Sequence, residues 1–562
     1  MMRRWHALAV IPLLLALALT ACTGMPTSGP VGPGLRETDD QDTLPIAFLP
    51  DRPQPGATPE QIVDGFLRAG SGPSDNWAIA RLYLAPDIHD SWQPNAGVTV
   101  DSLPDRTLGA VGDTSGTDAA VSVGLTPLAL VDGNGAYSDV DVGPTQLSFQ
   151  LAKQSDGEWR ITKAPDGIVL DSDTFPRVYR SYSLMYFDPA WRHLVPDVRW
   201  YPSVNAPTRI VNALVNGDPS PWLARSVVTA FPDDVNARAA VPVVDGVAQV
   251  EIGAAALSLP TSTLDRMQTQ LDQSLATASI SDVRMTAGGA TLSATPVPTD
   301  STTVDPRALV KTDQNFGFLS GDQIDPLPGF SPAIQPLDVH SIQLGWDGSF
   351  AAVRLGDGSV QRIPSGGAPV TVDNRPDLID PTSDPNGFIW TVPSSKPAAV
   401  VATAPDGTHT DIGAAWPSAV RIVAMQVSRD GARVAALVVV AGRSSVRVAG
   451  IIRDESGRPT SIGPVQELVT LVGNGVALGW IDDTTIGVVA AGDTDSTVLE
   501  QPVGGIATTS SVPAPVTAIA GAGQSVVRVT DSSGNLYLKR VTNWQQAGSG
   551  IRVLATLQGR VS

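Results

Sequence analysis

Leu344-Gly345-Trp346-Asp347-Gly348 opens a series of turns that organises the second half of the chain. The same kind of turn returns as Asp384-Pro385-Asn386-Gly387, Val427-Ser428-Arg429-Asp430-Gly431, Leu478-Gly479-Trp480-Ile481-Asp482-Asp483 and Ile519-Ala520-Gly521-Ala522-Gly523. From Pro306 onward helical periodicity vanishes, and short Val- and Ala-rich runs fill the space between turns. Gly and Asp suit tight turns, and valine suits a pleated, half-buried strand. Successive turns stand roughly 40 to 50 residues apart, about the length of one four-stranded blade. A β-propeller of five or six blades therefore fits residues 305–562, and closing the ring would remove the strand edges left open otherwise. A large β-sandwich is the alternative.

Upstream, helices and strands mix. Leu184-Met185-Tyr186-Phe187 and Leu194-Val195-Pro196-Asp197-Val198-Arg199 read as strands, and Pro207 to Gly217 as a helix with a glycine stop. Phe231-Pro232-Asp233-Asp234 and the alternating Val247-Ala248-Gln249-Val250-Glu251-Ile252 follow. Leu264, Met267, Leu271 and Leu275 then form one helical stripe before Val283. This order resembles the GerMN domain, found in bacterial sporulation, germination and cell-envelope proteins, and assigns residues 178–296 to a GerMN-like α+β domain.

Residues 58–170 read as a separate α+β domain. Thr58-Pro59-Glu60-Gln61 has the layout of a capped helix start, with Ile62, Val63, Phe66 and Leu67 at helical spacing and a stop at Gly70. A second helical stretch is expected from about Asp75 through Trp77, Ala80, Leu82 and Tyr83. Leu147, Phe149 and Leu151, a Ser155-Asp156-Gly157 turn, then Trp159 and Ile161 predict a hairpin. Two helices followed by a curved antiparallel sheet resemble the cone-shaped nuclear-transport-factor-2-like (NTF2-like) fold.

The N-terminus fixes the expected location. Arg3 and Arg4 precede an apolar run from Ala7 to Leu19, which ends in Leu19-Thr20-Ala21-Cys22. Residues 1–21 thus have the layout of an export signal, and Leu19, Thr20 and Ala21 before Cys22 resemble a bacterial lipobox. Cys22 would carry a diacylglycerol and an N-acyl chain of palmitate type, with no other cofactor expected. Each buried methylene contributes about 0.8 kcal/mol, so two or more chains anchor stably. An ordinary secretory signal or an uncleaved anchor helix is the alternative, although the run is short for a span. Residues 22–57 hold seven prolines, Pro26 to Pro55, and read as a tether with a reach of about 30 Å.

Composition excludes several classes. Losing residues 1–21 removes Arg3 and Arg4 and leaves 35 basic against 56 acidic side chains, a formal charge of −21. Such a surface has no basic footprint for nucleic acid, so the lipid must hold the chain on the membrane. Cys22 is the only cysteine, which rules out an intramolecular disulfide and a cysteine metal site.

Catalytic signals are sparse. His6 leaves with the signal, and His89, His193, His340 and His409 fall in separate elements without metal-ligand spacing. No Gly-x-Ser-x-Gly elbow, His-Glu-x-x-His pair or phosphate loop occurs. Gly473-Asn474-Gly475-Val476-Ala477-Leu478-Gly479 is one residue too long for a dinucleotide loop and leads into a strand, so it reads as a propeller turn. Asp132-Gly133-Asn134-Gly135 and Asp493-Thr494-Asp495-Ser496 could hold calcium, but hairpin turns favour the same residues. Trp346, Trp390, Trp416, Trp480 and Trp544 could line a ligand face, and packing between blades is the preferred reading. Paired acids of an envelope hydrolase remain a minor alternative.

Signal, tether, small α+β domain, GerMN-like domain and propeller, in that order, resemble the LpqB family of actinobacterial lipoproteins across the whole chain. The resemblance implies a non-enzymatic accessory of the MtrA/MtrB two-component system. Its partner would be the extracytoplasmic domain of the sensor histidine kinase, and its role would touch cell-envelope homeostasis and division. The alternative is an envelope glycan- or solute-binding lipoprotein, with peptidoglycan among the ligands.

Overall fold

The computed structural model describes residues 50–112, 115–140, 142–492, 494–523 and 526–560. Cys22, Leu19 to Ala21, His6, most of the tether and Asp493 lie outside the described residues.

The first described region is α+β. Thr58 caps the helix Pro59–Ala69: its hydroxyl accepts from Gln61 N, and Gln61 Oε1 accepts from Thr58 N at 2.9 Å. Ile62, Val63, Phe66 and Leu67 are buried on one stripe, each stabilising by roughly 1.5–3 kcal/mol. The second helical stretch shrinks to Ala78–Arg81. Asp75, Asn76 and Trp77 have φ of 48°, 54° and 57°, so no right-handed helix can start before residue 78. Trp77 instead buries its ring and donates Nε1 to Gly70 O at 2.9 Å.

The helix packs against two four-stranded sheets. One orders Tyr137–Asp139, Pro127–Asp132, Gly97–Asp101 and Ile168–Asp171, the last two parallel. The other is an antiparallel meander of Thr107–Val111, Asp118–Leu125, Thr145–Lys153 and Trp159–Lys163. Its final pair is the hairpin expected around Gly157, whose φ of 84° suits glycine. Val121, Val123, Phe149, Leu151 and Ile161 close one core with the helix stripe.

The GerMN-like region begins with the antiparallel pair Tyr179–Phe187 and Leu194–Pro202. The helices Ala206–Val215 and Thr261–Ala276 follow, with Val247–Ile252 parallel to Asp282–Ala287. Leu264, Met267, Leu271 and Leu275 all point into its core, as the helical stripe requires.

The last region is a six-bladed propeller. With strands lettered A to D from the axis outward, blade 2 runs Val339–Leu344, Phe350–Leu355, Val360–Pro364 and Val370–Asp373. Blades 3 to 6 begin with strands A at Thr382–Ser383, Arg421–Val427, Asn474–Trp480 and Val516–Gly521. In blade 4 the outer strand is broken into Pro459–Ile462 and Gln466–Thr470, both paired with Arg443–Arg453. Blade 1 is split between chain ends: Leu309–Lys311, Phe316–Ser320 and Gln323–Pro326 are its outer strands, and Val553–Leu554 pairs with Leu309–Lys311 as the innermost. Thr556–Leu557 then runs parallel to strand A of blade 2. Gln558 crosses the axis and donates Nε2 to Val427 O of blade 4 at 3.1 Å. The six inner strands thus form a closed ring sealed by the C-terminal segment.

Candidate functional site

The turns between strands A and B point to one side of the ring, and the GerMN-like region sits on that side. Trp346 of blade 2 meets the His193 ring edge-on, centroids 5.5 Å apart, with the Arg192 guanidinium 5.4 Å from its face. Pro385, Asn386 and Gly431 of blades 3 and 4 meet Asp188, Pro189 and Ser226 round a nearly filled gap. Ala432 joins the GerMN-like core. Thr302 donates to Asp483 of blade 5 at 2.7 Å, and Trp200 Nε1 donates to Gly504 O at 2.8 Å.

Beneath these contacts lies a buried ionic cluster. Arg433 pairs with Asp430 and donates to Asp483 O at 2.7 Å, its guanidinium 4.9 Å from the Trp480 ring. Arg453 bridges Asp384 Oδ2 at 2.8 Å and Gly431 O at 2.9 Å. Burial pushes the Asp430 carboxyl up, but Arg433, Ser428 and the Ala432 N–H outweigh it and hold the group below the ordinary carboxylate range. Burial pushes Asp483 up and His193 down, the latter against the pull of Asp188, Asp430 and Asp300. Arg429 donates to Gly521 O at 2.6 Å in the central channel, and burial lowers its affinity for protons. Asp430, Arg433, Asp384 and Arg453 are paired and Arg429 is bonded to backbone, an arrangement that fixes domains in place, while His193 Nε2 has no partner among the described residues.

The residues singled out in the sequence are not brought together. His89 contacts Asp90, His193 is buried at the junction, His340 is exposed on blade 2, and His409 bonds Thr403 Oγ1 at 2.9 Å on blade 3. Among the described residues no group of three or more His, Cys, Asp or Glu is placed to hold a metal.

The Asp132–Gly135 turn joins domains. Asp132 Oδ1 accepts from its own turn, Asn134 N and Ala136 N, while Asn134 O accepts from Arg199 and Tyr201 at 3.0 Å each. A Cβ on Gly135 would lie 2.8 Å from the Tyr201 ring. Asp495 O accepts from Gly492 N and closes a hairpin turn.

One reading needs correction. Gly473 alone lies in a turn, and Asn474–Trp480 is the innermost strand of blade 5. Its glycines answer to crowding between blades, since a Cβ on Gly475 would meet both methyls of Leu437, in the second strand of blade 4, at 2.7 Å. Trp390 and Trp480 are buried within the blades, Trp416 is buried from the connection between blades 3 and 4, Trp544 bonds Ser510, and Trp346 belongs to the junction.

The opposite side of the ring is open. There Val472 is 97% and Val420 66% exposed. Both flank the Ala441-Gly442 turn of blade 4, through Val420 N to Val439 O and Leu471 N to Ser444 O. Ala414, Trp416, Ser418 and Ala441 on this side have φ between 48° and 64°, strained for residues other than glycine.

Three family models match in the order of these regions. They are "Lipoprotein LpqB, N-terminal domain" over residues 52–176, "Sporulation and spore germination" over 183–293 and "Lipoprotein LpqB beta-propeller domain" over 308–553. The chain belongs to the LpqB lipoprotein family. Lipoprotein LpqB of Mycobacterium tuberculosis is 27% identical over 95% of both chains, and that of Rhodococcus opacus 26% identical over 90% of this chain and 88% of its own. Lipoprotein LpqB of Cutibacterium acnes is 32% identical, with the match spanning 51% of this chain and 48% of that protein. Among solved structures, a chain of a nidogen/laminin complex aligns with a TM-score of 0.33 and 13% identity, covering 44% of this chain and 96% of its own. Membership makes this a multidomain lipoprotein with a propeller, and no helix among the described residues is long and apolar enough to cross a membrane.

Proposed function

We propose that this chain is held by lipid at Cys22 on the extracytoplasmic face of the cell membrane and there binds and modulates an MtrB-like sensor kinase. It does so without catalysis, and through the kinase it affects envelope homeostasis and division. The observation that carries the reading is the pair of LpqB-family matches, over the N-terminal region and the propeller, on either side of the sporulation and spore germination match. Tethering two partners to one membrane raises their effective concentration, so a weak contact suffices. The propeller side carrying Val420 and Val472 is the contact surface in this reading, because the GerMN-like region occupies turns on the other side.

Crosslinking in intact cells, scored for the sensor kinase, tests the reading with the wild type, Cys22→Ala and a Val420→Asp/Val472→Asp double variant. Kinase capture should fall sharply in both variants while the folded protein persists. Absence of the kinase from wild-type crosslinks, or equal capture by all three, would overturn it.

A further inference from the structure

A cleft of about 870 Å³ runs along the seam between the α+β and GerMN-like regions. The Asp132–Ala136 turn forms one wall, and the helix Ala206–Val215 with the loop after it forms the other. The volume is that of a small-molecule site. The 11 residue steps from Asn205 to Asn216 make a wall of about 16 Å at helical rise, enough for about three linked sugar rings.

Its lining offers unused hydrogen-bonding capacity from three directions. Asn134 on the turn, Asn205 before the helix and Asp218 after it are exposed into the cleft. None of the three makes a side-chain hydrogen bond within the described residues. At the floor Arg199 is only 4% exposed. Its Nη atoms bond Asn134 O, Asp197 and Asp218 O, but its Nε–H has no partner. That Nε is closed off from solvent, so Arg199 ties the Asn134 turn to the Asp218 loop and leaves ligand contact to the exposed side chains above it. Beside it the Tyr201 ring, only 6% exposed and stacked on Tyr182, closes the floor.

Charge and shape select among ligands. Arg199 is already paired with Asp197, which leaves Arg209 against Asp132 and Asp218 in the lining, a slightly acidic balance that favours a neutral ligand over a phosphate-rich polymer. No Leu, Ile, Val, Met or Phe lines the cleft, whereas extended peptides gain specificity from side-chain pockets. The exposed carboxamides of Asn134 and Asn205, the Asp218 carboxylate and the half-buried Arg209 guanidinium suit adjacent sugar hydroxyls or acetamido groups. We propose that this cleft binds a neutral oligosaccharide segment of the envelope, bridging the two regions that form it. This site is separate from the kinase contact, and neither proposal rests on the other.

Calorimetric titration of the full lipidated chain in detergent tests the proposal, with triacetylchitotriose and maltotriose as probes. Asn134→Ala/Asn205→Gly removes two free carboxamides, and glycine accepts the φ of 61° at residue 205. Asp218→Ala is an independent third change. Saturable binding of at least one trisaccharide is expected, with Kd below about 1 mM and weakened about tenfold or more in both variants, at unchanged unfolding temperature. No saturation by either sugar would overturn the proposal. So would affinity indifferent to both variants, or binding of a pentaalanine peptide in place of the sugars.

Discussion

The two sides of the propeller ring are built from the same blades and have opposite characters. On the side of the A-to-B turns, Asp430, Arg433, Asp384 and Arg453 are almost fully buried in paired charges beneath the GerMN-like region. On the other side, Val420 and Val472 stand in solvent beside four non-glycine residues with positive φ. At blade 4 the covered side uses charge for position and the open side leaves apolar groups and positive-φ residues in solvent; away from the junction the covered side also exposes an apolar group, Val541 of blade 6. A propeller thus separates holding from presenting, because each blade sends alternate turns to opposite ends of its strands.

That contrast can be broken most strongly at Arg433. Arg433→Ala leaves Asp430 buried without its cation and should cost about 3–5 kcal/mol in chemical denaturation. A loss below about 1 kcal/mol would mean that the cluster contributes little to the covered side.

A smaller effect is expected from pH. His193 has a folded pKa below its ordinary 6.5, so the unfolded chain binds its proton first. Stability from this residue is complete above pH 6.5 and declines as pH falls through the folded value, by up to about 1.4 kcal/mol per pH unit. Unfolding curves of His193→Asn should lack that part of the decline. Asp430, also depressed, should add a further loss at lower pH, below its ordinary 3.8. A wild-type profile that is flat from pH 6.5 to 5 would contradict the assignment.

The smallest effect on stability belongs to the open side. Val472→Asp should shift unfolding by less than about 0.5 kcal/mol, as for exposed positions generally, yet reduce binding to the purified extracytoplasmic domain of the kinase. A large stability loss would show that Val472 supports the fold and does not mark a free surface.

Much of the architecture was legible in the chain. The five recurring turns are the A-to-B turns of blades 2 to 6, the blades whose four strands are consecutive. Blade 1 shows no such turn because its inner strand, Val553–Leu554, arrives from the far end of the chain. A periodicity count therefore reads five where the ring has six. The Thr58/Gln61 capping box was legible because its partners lie three residues apart. The failed helix at Asp75 was not, since its apolar spacing is helical and only the left-handed backbone reveals the stop.

The candidate sites were less legible. Asp132-Gly133-Asn134-Gly135 shows turn chemistry but not its mates, Arg199 and Tyr201, more than 60 residues away. Asp430 reads as one more turn acid, and nothing local tells that Arg433 beneath it also reaches Asp483 O. Gly475 resembles a loop glycine until Leu437 of the neighbouring blade is seen against it.

By itself, the sequence determined what depends on neighbours a few residues apart: strand and helix periods, caps, turns and domain order. The tertiary structure alone decided the blade number, the side of the ring that is covered and the cleft at the domain seam. Those features arise where segments distant in sequence meet, and burial and charge pairing act on distance in space.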